Sequence, residues 1–136
     1  MPEPRDLNKG IQKLIVFDDM IADKNQEKII NYFIYGRKQG CSTFILSQSY
    51  YAIPKTIRGH QFSYLILVKI SGVRDLNMIL KDTGSLNFDD DTLLKKMYNK
   101  ATSTPMNFLK IDMNLSDINK RFSLNFNQFF KLENEN

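Results

Sequence analysis

Three short apolar runs limit what this chain can become: KLIVF at Lys13–Phe17, CSTFIL at Cys41–Leu46 and FSYLILVKI at Phe62–Ile70. Each is nearly continuous and stops abruptly at polar residues. Runs of this kind suit strands buried on both faces, as in parallel sheets covered by helices. Parallel neighbours need a crossover of a dozen or more residues, and the first interval supplies one. Lys24–Lys38 sets Ile29, Ile30, Phe33 and Ile34 on one side of a helix, which Gly36 and Gly40 end. The pattern predicts a βαβ unit, with Leu14, Val16, Phe44, Leu46, Leu65 and Leu67 buried on a parallel sheet.

Tyr50–Gln61, with Pro54 and Gly59, reads as a loop with a short turn, and Asp75–Lys81 as a short helix stopped by Gly84. DDDTLLKKMYNK at Asp89–Lys100 predicts a helix, with acids at its start and lysines towards its end as the helix dipole favours. Met106–Met113 and Arg121–Phe130 read as two strands around the turn Ser116-Asp117. The chain divides into a flexible, solvated leader (1–12), a main part (13–86) and an extension of the same domain (87–136). At 136 residues and 42% hydrophobic, one α/β domain is expected rather than two.

The charge of +4 permits contact with a polyanion without requiring it. The single Cys41 excludes an internal disulfide and a cysteine metal cluster, which makes a reducing compartment the default. The single His60 excludes a multi-histidine metal site within one chain. No run reaches the eighteen or so apolar residues of a membrane span.

An apolar strand ending in two acids, LIVFDD, carries a chemical logic. The carboxyl ends of such strands open onto the crevice where open α/β sheets bind ligands. Asp18 there suits Mg²⁺, a hard cation that takes oxygen ligands. Asp19 suits the water that attacks a γ-phosphate. The competing reading is a strand that runs into a turn, where Asp is a common helix cap. Gln48, just past the second strand, is placed to sense the γ-phosphate, or is simply a capping amide. The interval from Asp18 to Gln48 fits strand, helix and parallel strand, so both ends would share a rim. Arg37 stands before the second strand, as an arginine finger or as a cation favoured at a helix C-terminus. Lys55 and Arg58 suit contact with DNA or a neighbour, and equally a solvated loop.

LIVFDDM, followed by YGRKQGCSTFILSQSYYAIPKTIRGHQFSYLIL, resembles the FtsK/HerA superfamily of P-loop ATPases. It is especially similar to the genome-packaging ATPases of large DNA viruses and virophages. The likeness covers about Lys13 to Gly84 and rests on the acids, G-R-x-x-G, S-Q-S-Y and I-R-G in order. It implies an ASCE-type NTPase core, with Asp18 as the Walker B metal residue, Asp19 as the catalytic acid and Gln48 as the sensor. Arg37 matches the arginine that reaches a neighbouring subunit's site. The double Asp departs from the Asp-Glu of many relatives and resembles the viral branch.

The resemblance further implies ATP and Mg²⁺ as cofactors and double-stranded DNA as substrate. Other motor subunits in a ring, or a separate half bearing the phosphate loop, and capsid portal or vertex proteins would be partners. No membrane is implied, and the expected location is the host cytoplasm or viral factory, with a place in the virion also open. One element is absent: no G-x-x-x-x-G-K-[S/T] occurs, so nothing supplies the amide nest and lysine that cradle phosphates. The strand feeding that loop is also missing, which leaves unpaired sheet edges. The expected function is therefore a part of a packaging ATPase. The alternatives are a truncated non-catalytic relative that regulates a motor subunit and, further off, a Mg²⁺-dependent nuclease built on Asp18 and Asp19.

Overall fold

The computed structural model describes residues 1–19, 26–84 and 91–131 and is mixed α/β. It comprises two compact units, 1–62 and 63–136, which divide within the segment read as one core.

In the first unit, β1 (Lys13–Asp18) and β2 (Cys41–Leu46) pair in parallel, with Lys13 opposite Cys41 and Asp18 opposite Leu46. Between them lie α1 (Gln26–Tyr35) and a 3-10 turn, Gly36–Gln39. The expected helix start at Lys24 lies outside the described residues. Strand alternation sorts the side chains. Phe17 faces α1 and meets Tyr32 edge-to-face at 5.7 Å, while the Thr43 hydroxyl donates to the Tyr32 carbonyl. Phe17, Ile29, Tyr32 and Cys41 are buried with Ile53 and Ile57. The last belongs to α2 (Lys55–His60), where only a loop and turn were expected.

The opposite face of this sheet is a correction to the expected core. Leu14 is 58% exposed, Val16 47%, Phe44 55% and Leu46 50%. A single crossover helix covers only one face of a strand pair, so an unbroken apolar run leaves half its side chains without cover.

The junction before β2 depends on Gly40, which takes a left-handed φ of 66°. Its carbonyl accepts from Lys13 N, and the Lys13 ammonium donates to the carbonyls of Asn8, Ile11 and Gln39. A Cβ at position 40 would sit 3.4 Å from the carbonyl oxygens of Lys9 and Ile11. Gly40→Ala should therefore destabilise the unit by about 1–2 kcal/mol, the cost of a left-handed backbone for an ordinary residue. A urea melt with an unshifted midpoint would contradict this. Residues 1–12, expected as a solvated leader, place Pro4 in the interior. The Tyr32 hydroxyl donates to Pro2 O at 2.7 Å. Burial, followed by the charges of Cys41, Glu3 and Asp6, pushes the Tyr32 pKa up and so keeps that donor protonated.

The second unit corrects the expected direction of the third strand. β3 (Tyr64–Leu67) pairs antiparallel with β4 (Leu109–Asp112) and is not part of the parallel sheet. The order continues to β5 (Phe122–Leu124) and β6 (Gln128–Phe129). The single strand expected over Arg121–Phe130 is thus two, turned where Asn125 adopts φ 54°. Asn125 Oδ1 accepts from Phe108 N at 3.1 Å, so the turn is tied to the chain entering β4. A one-turn helix, α5 (Ile118–Arg121), precedes β5, capped by the Asp117 carboxylate.

The inner face of this sheet packs on α4 (Asp91–Ala101), and Leu67, Leu109, Ile111, Phe122, Met97 and Tyr98 form the core. α4 in turn meets α3 (Val73–Gly84). The expected start of α4 at Asp89 lies outside the described residues. Leu65 is only half-buried, and Tyr64 and Ile66 are exposed, so β3 too is covered on one side. Among the described residues, no helix is long and apolar enough to cross a membrane.

Candidate functional site

The carboxyl ends of β1 and β2 form one rim, because parallel strands in register finish together. Asp18, opposite Leu46, is the last residue of β1. Alternation puts its side chain on the open face, beyond Leu14 and Val16. Asp19 continues the ladder by one bond, its N–H donating to Leu46 O at 3.1 Å, and then turns with φ 49°. Asp tolerates that conformation better than most residues.

Across from it, Ser47 Oγ accepts from Ser49 N at 3.0 Å and donates to Ser49 O at 2.7 Å. This closed turn fixes the backbone on either side of Gln48. Asp18, Asp19 and Gln48 are all exposed to solvent. The structure therefore brings two carboxylates and an amide to one rim.

Arg37 lies elsewhere. It is exposed, in the 3-10 turn before β2, at the end of the sheet opposite the rim. Lys55 is exposed, whereas the Arg58 guanidinium lies over the rings of Tyr50 and Tyr51 at 5.6 and 5.8 Å. Stacking of that kind makes Arg58 part of the local packing.

Among the described residues, no three His, Cys, Asp or Glu side chains gather as a metal cluster. The rim's donors are oxygens, as a hard cation that keeps several waters requires. Two exposed carboxylates and an amide are the oxygen donors that such a cation would meet at this rim.

Two features escaped the sequence reading. One is the Ser47–Ser49 turn, which the S-Q-S triplet signals, since Ser hydroxyls commonly bond the backbone two residues on. The other is the outer face of the antiparallel sheet, where Tyr64, Lys110 and Phe129 meet. Its signal was the alternation in FLKID at Phe108–Asp112, which marks a one-sided strand. No protein-family model matches the chain, and no curated protein or solved structure gives a match.

Proposed function

We propose that this chain is the metal-and-water portion of a DNA-packaging ATPase of the FtsK/HerA type. It would work in a ring once joined to a portion bearing the phosphate loop. The observation carrying this reading is the β1–α1–β2 register, with Asp18, Asp19 and Gln48 at one rim and Arg37 at the far end. In that reading Asp18 would hold Mg²⁺, which when bound would supply positive charge to phosphate oxygens. Asp19 orients or deprotonates the attacking water, and Gln48 senses the γ-phosphate by hydrogen bonding. Double-stranded DNA is the translocated substrate, and a capsid portal or vertex protein is the dock.

The open apolar face adds support. Leu14, Val16, Phe44 and Leu46 lie together on this face and are each about half exposed, and contiguous exposed apolar residues are a mark of interaction surfaces. Asp18 stands at its rim, where the N-terminus of a covering helix would be electrostatically favoured. The same patch also favours a second reading, a non-catalytic relative that docks on a motor subunit.

Hydrolysis separates the two. The isolated chain should show no micromolar binding of Mg-ATP by calorimetry. Mixed with a phosphate-loop fragment of a packaging ATPase, it should support hydrolysis that Asp19→Asn lowers by about 10²- to 10⁴-fold. Complex formation without hydrolysis would favour the regulator. Micromolar ATP binding by the chain alone would overturn the division of labour.

A further inference from the structure

The outer face of the antiparallel sheet has an unusual composition for a surface that meets water. In a sheet packed on one side only, outward positions are usually polar. Here Tyr64 is 56% exposed and Phe129 49%, with Ile66 exposed beside them. Register places Tyr64 and Ile66 on β3 beside Asp112 and Lys110 on β4, Ser123 on β5 and Phe129 on β6, all on this face. The Lys110 ammonium is 5.8 Å from the centroid of Tyr64 and 5.8 Å from that of Phe129. Two accessible rings thus flank one cation.

The polar groups between them are already engaged. Asp112 is buried and accepts from Asn114 N, and Ser123 is buried with its hydroxyl donating to Asn125 O. The accessible chemistry of this face is therefore flat rings, the Ile66 side chain and positive charge, with no exposed carboxylate at its register positions.

We infer that this face binds single-stranded nucleic acid, with bases stacked on Tyr64 and Phe129 and the phosphate between them paired with Lys110. The complementary ligand is an anion that also offers flat faces. An apolar protein segment would not use the cation, and a duplex keeps its base faces stacked away from side chains. Stacking on exposed aromatics beside a basic group is the general means of holding single strands with little sequence preference. The inference rests on the antiparallel sheet alone and is independent of the ATPase reading.

The test is fluorescence anisotropy with the full chain and labelled oligo-dT and oligo-U of about ten nucleotides, beside a duplex of equal length. Single strands should bind more tightly than the duplex. Tyr64→Leu and Phe129→Leu, which keep apolar bulk but remove the ring, should each weaken binding between about five- and a hundredfold. Tyr64→Phe should leave affinity within about twofold, since stacking uses the ring and not the hydroxyl. Lys110→Gln should flatten the salt dependence by about 0.7 in the log–log slope. Preference for oligo-dT or oligo-U identifies the physiological strand as DNA or RNA, and either supports the site. The inference is overturned if neither oligonucleotide binds, if the duplex binds as tightly, or if binding survives both leucine variants. Should a leucine variant fail to fold by circular dichroism, Lys110→Glu replaces it, and undiminished binding by that variant has the same force.

Discussion

Phe17→Ala is expected to lower the stability of the chain by about 3–5 kcal/mol, while Phe44→Ser, on the paired strand, should change it by less than about 1 kcal/mol. Sequence alone treats these residues alike, as phenylalanines inside apolar runs. Phe17 is 1% exposed, wedged edge-on against Tyr32 between β1 and α1. Truncation there removes a ring and leaves a cavity that the helix cannot close without losing other contacts. Phe44 points the other way, onto the open face, where water already covers more than half of it. Urea titrations of the two variants check the pair, read as midpoint shifts at unchanged slope. Equal losses would mean that both faces of the strand pair are covered. The same Phe44→Ser variant should lose affinity for a phosphate-loop partner, because the proposed docking face would then carry a hydroxyl at its centre.

The contrast between those two residues shows where sequence reading works and where it stops. The β1–α1–β2 unit was legible because chain geometry leaves little choice: two strands with a helix between them pair in parallel through a right-handed crossover. That constraint also placed Asp18, Asp19 and Gln48 on one rim and Arg37 away from it. Burial was not legible. An unbroken apolar run reports that both sides of a strand are apolar, and it is silent on whether the chain supplies cover for both.

Strand direction failed for a related reason. Nothing in FSYLILVKI distinguishes a parallel partner from an antiparallel one, and the deciding information lies in a different segment. Leu109 and Ile111 alternate with Lys110, giving a strand with one apolar side that matches β3 in register. Asn125 then splits the last expected strand, because Asn takes the left-handed turn at low cost.

In a motor rebuilt with its phosphate-loop portion, Arg37→Ala should reduce hydrolysis by about 10³- to 10⁵-fold and leave nucleotide binding nearly intact. A finger contributes in the transition state, where charge spreads over the transferred oxygens, and so its loss falls on turnover. Geometry sets the direction of its reach. Arg37 precedes Cys41, which pairs with Lys13, whereas Asp18 pairs with Leu46 at the other end of both strands. Six-residue strands put roughly 16 Å between those ends, farther than an arginine side chain extends. Arg37 therefore cannot serve the rim of its own chain, and under the proposed ATPase reading its target would be a neighbour's site. Each single variant, Arg37→Ala or Asp19→Asn, should give an inactive ring. Rings mixed from the two should recover part of the activity, since some boundaries then join an intact Arg37 to an intact Asp19. If mixed rings form, as shown by co-purification of differently tagged subunits, and stay as inactive as either parent, Arg37 does not act across the boundary. Its charge would then be explained by the last turn of α1 and the 3-10 segment after it, where a cation is favoured by the helix dipole.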